Sequence, residues 1–210
     1  MKLYTVPLAP NPTKVMLYLA EREAKGAKFD LELVTVNTLK AKHREPEHLA
    51  RNPFGTLPVL ELDSGRFIRE SLAIIEYLED KFPTGALLSS DPETRAYQRD
   101  LERIADVRFL MPSGTYVHMT NSPIGYPPNP ERAAQLKIQM QPPLDFLEAE
   151  LSDGRQFLTG AEVSVADCTL AAAFQFIRYI KEDLIEERRF LRGWDERYRS
   201  RDAAKLVLKW

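Results

Sequence analysis

Glu70 and Ser71 place a carboxylate directly before a hydroxyl, where a strand pattern gives way to the helical pattern "SLAIIEYLEDKF". Ser71 is a natural N-cap for that helix. Its hydroxyl and the free backbone N–H groups at the helix start form an anion site, which the helix dipole favours. A carboxylate beside an anion site is the pairing that a zwitterionic amino-acid end requires. A plain cap followed by a solvated acid fits the same two residues, so the pair alone leaves both readings open. A second strand-to-helix junction, "VPLAPNPTKVML", offers Asn11 and Thr13 as its polar groups, with Asn11 as expected N-cap and Pro12 at the first helical position. Ser164 and Asp167 form an S-x-x-D capping box, for which the structural role is favoured: Asp167 is expected to be buried and hydrogen-bonded. Cys168 is the one cysteine, so no internal disulfide is possible, and it is expected to face the core as a small hydrophobe. His43, His48 and His118 do not have metal-ligand spacing, and no glycine-rich phosphate loop is present, so no metal is expected.

The elements around these residues follow from periodicity. "KLYTV" reads as a strand, followed by a helix from Asn11 with Val15, Met16, Leu19 and Ala20 as its apolar stripe, stopping near Gly26. "DLELVTVN" is a second strand and "EPEHLARN" one or two helical turns. "LPVLEL" and "RFIR" make a hairpin about Asp63-Ser64-Gly65, and the helix after Ser71 turns Leu72, Ile75, Leu78 and Phe82 inward. The order is β-α-β-α-β-β-α. "PTGALLSSDP" reads as a linker, and beyond it the strand signal disappears. A helix repeats apolar residues at Tyr97, Leu101, Ile104, Val107 and Met111, and Pro142-Pro143 should kink or break a later one. "SVADCTLAAAFQFIRYI" is apolar nearly all round, as befits the central helix of a bundle. Residues 112–130 are expected to form a long functional loop. The fold class is therefore α/β plus all-α, with an α/β domain over residues 1–82, a linker over 83–92 and an all-helical domain over 93–210.

With 29 basic and 31 acidic residues the net charge is -2, which argues against a nucleic-acid surface as the main partner. No apolar run approaches the length of a membrane-spanning helix, and the N-terminus has no signal-peptide pattern, so the expected setting is cytoplasmic.

"NPFGTLPVLELDSGRFIRESLAIIEYLEDKFP", residues 52–83, resembles the glutathione-binding half of cytosolic glutathione transferases. "GAEVSVADCTLAAAF", 160–174, resembles the family's buried capping motif, and "LRGWDERYRSRDAAK", 191–205, its C-terminal ending, with Asp202 where a proline is more usual. In order and spacing the resemblance spans nearly the whole chain. It implies a thioredoxin-like N-terminal domain, a helical-bundle C-terminal domain, a homodimer, and glutathione as co-substrate beside a small hydrophobic or electrophilic second substrate. It further implies a cis peptide bond at Pro58, and pairing of the Leu57 backbone with glutathione's cysteine as an added strand. Ser71 would take the γ-glutamyl carboxylate and Glu70 the amino group. Lys40 and His43 stand where the family often contacts the glycine carboxylate, although a solvated basic loop fits them equally.

The thiol-activating residue is less plain. Theta-like and bacterial branches often read "SPNSxKV", whereas this chain reads "APNPTKV", with Ala9 and Pro12 where hydroxyls stand. Asn11 and Thr13 remain as catalytic candidates, and an asparagine-based site resembles the nu-like bacterial transferases. Tyr4 is expected to pack against the first helix. The pocket for the electrophile would lie between the domains, lined from Arg108 to Tyr126 by residues such as Met111, Tyr116 and Met119, with Arg108 as an anion contact. A glutathione transferase, with conjugating, peroxidase or disulfide reductase activity, is the implied function. The competitor is a non-catalytic relative that binds proteins, as stringent-starvation regulators do; Ala9 favours it and Glu70-Ser71 argues against it.

Overall fold

The computed structural model describes residues 1–209. Strand β1 (Lys2–Thr5) leads into helix α1 (Pro10–Ala24), then β2 (Glu32–Thr35), a 3₁₀ turn (Lys42–Arg44) and α2 (Pro46–Arg51). The hairpin β3 (Val59–Glu61) and β4 (Phe67–Ile68) precedes α3 (Ser71–Lys81). In the sheet, ordered β2-β1-β3-β4, β1 runs parallel to β2 and antiparallel to β3, with Leu3 opposite both Leu33 and Leu60. This is the expected β-α-β-α-β-β-α order of a thioredoxin-like domain. The turn closes at Gly65, whose N–H donates to the Leu62 carbonyl at 2.9 Å.

Alternation along β1 divides its side chains between two faces. Leu3 enters the main core with Val15, Leu17 and Tyr18 of α1. Tyr4 joins a smaller cluster with Val36 and Val59 on the opposite face, its hydroxyl donating to Glu61 at 2.6 Å and the Arg51 guanidinium 4.3 Å over its ring. The expectation that Tyr4 packs on α1 is therefore corrected: strand alternation points it away.

The helical part comprises α4 (Pro92–Arg103), a π-helix (Ile104–Leu110), α5 (Met111–Asn121), α6 (Pro130–Gln139), α7 (Gln141–Glu150), α8 (Val165–Tyr179), α9 (Arg189–Ser200) and α10 (Asp202–Val207). Two expectations change here and one holds. Helix α5 takes up the first half of the presumed 112–130 loop: it runs straight on from the π-helix, and Pro112 sits just inside the junction, where its missing N–H forgoes one helical bond without ending the helix. The break expected at Pro142-Pro143 is present: α6 ends at Gln139 and α7 begins at Gln141 with both prolines in its first turn. The stripe Tyr97–Leu101–Ile104–Val107–Met111 does not form the core face: Tyr97, Val107 and Met111 are exposed, while Leu101, Ala105, Phe109 and Leu110 are buried. The π-helix adds residues to its turns and so rotates the following stripe out of register.

Helix α8 is buried from Val165 to Ile177, as its composition implies. Helix α1 is buried almost all round too, packed on α3, α8 and α10. Met16 sits at its rim, while Lys14, Glu21 and Arg22 are fully buried. Each has an ionic partner: Lys14 lies 3.3 Å from Glu102 and 3.2 Å from Asp106, and Glu21 takes a bidentate pair from Arg201 at 2.9 and 2.8 Å. Arg22 donates to Tyr18, Glu79 and the carbonyls of Phe82 and Thr84. Burial pushes the Glu102 carboxyl up, with Lys14 opposing it. These contacts tie the segment after α3 and the helical part to the same helix that carries the Asn11 turn.

Candidate active site

Two helix N-termini meet at the candidate site. Helix α3 begins one residue earlier than a Ser71 cap would require: Glu70 is the N-cap residue, in extended conformation, and Ser71 is the first helical residue. No side chain caps this end. The first intrahelical bond runs from Ile74 N–H to the Glu70 carbonyl at 2.9 Å, which leaves the N–H groups of Ser71, Leu72 and Ala73 without an acceptor among the described residues. Three convergent donors at the positive end of a helix dipole are what a carboxylate binds. Glu70 is exposed beside them and Ser71 is buried.

Helix α1 also starts early, by two residues. Ala9, not Asn11, is the N-cap residue (φ -62, ψ 136), so Pro10, Asn11 and Pro12 occupy the first three helical positions. Proline has no N–H. Thr13 N–H is bonded to the Ala9 carbonyl at 2.9 Å, so Asn11 N–H is the one free backbone donor among the first three helical residues. Thr13 is buried, which leaves half-buried Asn11 as the turn's accessible polar side chain. The two ends are joined directly: Ser71 Oγ donates to Asn11 Oδ1 at 3.1 Å.

The third wall is the segment before β3. The Leu57–Pro58 bond is cis, as the resemblance implied, and neither Leu57 N–H nor its carbonyl has a backbone partner among the described residues. The preceding loop is held by Asn52 Nδ2 and His48 Nε2, both at the Thr56 carbonyl (3.0 and 3.1 Å). His48 is thus buried scaffolding. Gly55 makes this loop possible, since its φ is +62° and a Cβ there would meet Arg44 Nη1 at 2.8 Å and the His43 carbonyl at 3.0 Å. The 3₁₀ turn carrying His43 therefore packs on the loop that presents Leu57. His43 is half-buried with Nδ1 unpartnered, and burial, then the Arg44 and His48 charges, lowers its pKa. Lys40 is exposed; its backbone N–H bonds Asn37 Oδ1.

The helical part supplies a fourth wall. Gly114 of α5 faces Pro10, where a Cβ would lie 4.0 Å from the proline ring. Met111 and Arg108 are exposed, and Arg108 has no charged or hydrogen-bonded partner among the described residues. Tyr116 stands two residues from Gly114, about 200° round the helix. It is buried at 4% exposure and lines a cavity of about 300 Å³ against α6, with Met119, Thr120 and Lys137. Tyr116 is thereby removed from the lining beside Pro10. Tyr126 packs its ring on His118 instead, and burial lowers the His118 pKa.

Away from this site, Asp167 is fully buried and closes the N-terminus of α8. One oxygen accepts from Ser164 N–H (2.8 Å) and Ser164 Oγ (2.7 Å), the other from Leu158 N–H (2.9 Å) and Trp194 Nε1 (2.7 Å). Cys168 is buried, with the Tyr198 hydroxyl 3.5 Å from its sulfur, and its thiol is pushed up by burial. Among the described residues no cluster of His, Cys, Asp and Glu could hold a metal ion, and no helix is long and apolar enough to cross a membrane.

Sequence reasoning missed Lys14, the Glu21–Arg201 pair and the Asn11–Ser71 bond. A helix packed on both faces buries charges that amphipathic periodicity assigns to solvent, and no local pattern encodes a contact across 60 positions.

The glutathione S-transferase N-terminal domain model matches residues 9–81 and the C-terminal domain model residues 130–200. Glutathione S-transferase 2 of Saccharomyces cerevisiae is 30% identical over 213 aligned positions, covering 100% of this chain and 90% of the yeast protein. Maleylacetoacetate isomerase of Pseudomonas aeruginosa is 44% identical over 101 residues, 47% of this chain and 45% of that protein. Among solved structures, Gtt2 from Saccharomyces cerevisiae superposes with a TM-score of 0.87 at 29% identity, covering 99% of this chain and 100% of the other. With both domain models matched in order and the yeast relative aligned end to end, the chain belongs to the glutathione S-transferase family.

Proposed function

We propose that this protein is a glutathione transferase that binds glutathione along Leu57, Glu70 and the start of α3, and activates its thiol at the Asn11 turn. The observation that carries the reading is the uncapped N-terminus of α3, with three unpaired N–H groups, hydrogen-bonded through Ser71 to the N-terminus of α1. The N–H groups of Ser71, Leu72 and Ala73 receive the γ-glutamyl carboxylate, and Glu70 accepts from the amino group. The free backbone of Leu57 pairs with the cysteinyl residue, so the tripeptide adds a short strand to the sheet edge. His43, neutral because its pKa is lowered, contributes an N–H donor and Lys40 a charge toward the glycine carboxylate.

A thiol with an ordinary pKa of about 8.5 is only a few per cent thiolate at neutral pH, so the site must favour the anion. Asn11 supplies two donors, its backbone N–H and its amide NH₂, at the positive end of α1. The proton leaves to solvent, and the sulfur attacks a substrate held beside Pro10, Met111 and Arg108: an electrophilic carbon, whose leaving group departs, a peroxide oxygen, with cleavage of the O–O bond and release of the alcohol or water, or a disulfide, with cleavage of the S–S bond and release of the other thiolate. The arrangement serves a homodimer, as the family resemblance implies.

Retention on glutathione-agarose, with a thermal shift at millimolar glutathione, is the expected result. No retention and no shift would remove the reading and leave a non-catalytic member of the family. A panel of aryl halide, peroxide and mixed-disulfide substrates then identifies the reaction, and light scattering tests the dimer.

A further inference from the structure

The Thr56 carbonyl accepts two hydrogen bonds, from Asn52 Nδ2 at 3.0 Å and from His48 Nε2 at 3.1 Å. A carbonyl only accepts, so His48 Nε2 carries the proton that it donates. His48 lies in α2 and Asn52 directly follows that helix, and the two are 2% and 0% exposed. Asn52 is tied down further, by Nδ2 to Thr56 Oγ1 at 2.8 Å and by Oδ1 to Phe54 N–H at 3.2 Å. His48 is not. Its Nδ1 is buried with no partner among the described residues, so the bond to Thr56 is the one that its ring makes there. A buried ring nitrogen left unpartnered costs free energy that an apolar side chain would avoid. What the imidazole adds at this position is the donor to Thr56.

The Thr56 carbonyl and the Leu57 N–H belong to one peptide group. That group is planar and trans, so its C=O and N–H point in opposite directions. Drawing the carbonyl toward α2 turns the Leu57 N–H away from α2, to the side where it has no partner among the described residues. Two donors on one carbonyl restrict rotation of the peptide plane more than Asn52 alone would. They also polarise the group, which makes its N–H a stronger donor. We propose that His48 is a positioning residue for the bound tripeptide: through the Thr56 carbonyl it aims the Leu57 N–H at glutathione's cysteinyl carbonyl. This rests on the reading of the site as a glutathione site. His48 acts from behind the peptide and touches no part of the ligand. Removing its donor therefore weakens the backbone pairing while the fold, still held by Asn52, stays intact.

The test compares wild type with His48→Met and His48→Gln by calorimetric Kd for glutathione, urea denaturation and the NMR amide signal of Leu57. Methionine and glutamine are alike in length, and only glutamine keeps an N–H donor for the Thr56 carbonyl. In wild type the Leu57 amide proton is expected to move downfield when glutathione binds. His48→Met should keep the urea midpoint of wild type, shrink that movement and weaken glutathione roughly three- to tenfold, the size of one neutral hydrogen bond. His48→Gln should restore the movement and bring Kd within about twofold of wild type. Equal losses of affinity in the two variants would show that the ring's packing matters and its donor does not. A lower urea midpoint in His48→Met with unchanged affinity would make His48 a structural residue only. A Leu57 amide that glutathione leaves unmoved in wild type would show that this N–H meets no acceptor, a result that needs no variant to fold. Each of these overturns the positioning role while glutathione binding itself stands. Wild type that binds no glutathione removes both.

Discussion

The N-termini of α8 and α3 are finished in opposite ways. At α8 the chain brings its own carboxylate: Asp167 takes four hydrogen bonds, from Ser164 twice, Leu158 and Trp194, all in the core. At α3 the N–H groups of Ser71, Leu72 and Ala73 have no acceptor among the described residues, and the acidic residue, Glu70, stands outside at the N-cap position. Both junctions read as a serine followed or preceded by an acid at a helix start. The placement of the acid differs: Asp167, three residues into its helix, reaches back to the cap backbone. Glu70 at the N-cap position makes no cap bond, unlike Asp91 at the N-cap of α4, which accepts from Thr94 N–H at 2.8 Å. A closed N-terminus builds the fold, and an open one is available to a carboxylate from elsewhere.

The largest expected effect comes from opening the closed end. Asp167→Ala leaves the Ser164, Leu158 and Trp194 donors buried without an acceptor. Losing such a network costs roughly 3–5 kcal/mol, which a marginally stable protein barely survives. Urea denaturation should show that loss, or the variant should be insoluble. A loss below about 1 kcal/mol would mean that the capping box is not what secures α8.

The reverse manipulation closes the open end. Glu70→Ser with Ala73→Glu installs an S-x-x-E box on α3, and both positions are exposed. A capping box should stabilise the protein by about 1 kcal/mol and reduce glutathione affinity at least about tenfold, since the serine hydroxyl then takes the N–H of residue 73 and the new carboxylate, bonded to the N-cap N–H, repels the ligand's carboxylate. Ala73→Glu alone separates the blocking effect from the loss of Glu70. Stabilisation with unchanged glutathione binding would break the comparison, because it would show that the α3 donors do not hold the ligand.

The same contrast explains what the sequence could show. The capping box, the β-α-β-α-β-β-α order and the buried α8 were all legible, because each rests on local spacing or uniform composition. Ser71 and Asn11 were legible as candidates and misplaced as caps by one and two residues. Helix starts are set by which backbone carbonyl accepts first, and both Glu70 and Ala9 can adopt the extended conformation of a cap without a capping side chain. Tyr116 was read as pocket lining because residues 112–130 look like a loop; once they are α5, helical rotation carries it to the far side. Lys14, paired across the two parts with Glu102 and Asp106, gave no signal in sequence, since its partners lie 88 and more positions away.

Helix α1 lies between the two cases and is where the smallest effect is expected. Its N-cap residue is Ala9, and prolines at the first and third helical positions remove two of the three donors that a capping hydroxyl would find. Ala9→Ser therefore has one cap partner, Asn11 N–H, and should stabilise the protein by no more than about 0.5 kcal/mol, toward the low end for a new cap. The serine hydroxyl still has its own proton to donate, and at the head of α1 that proton adds one donor to those facing a bound thiol. The bound glutathione thiol should then titrate about half a unit lower, with roughly three times more thiolate at neutral pH. Stabilisation without any change in the thiol titration would place α1 with α8, as a helix end whose hydroxyl goes to the fold. A lower thiol pKa with unchanged stability would place it with α3, as an end whose donors belong to the ligand.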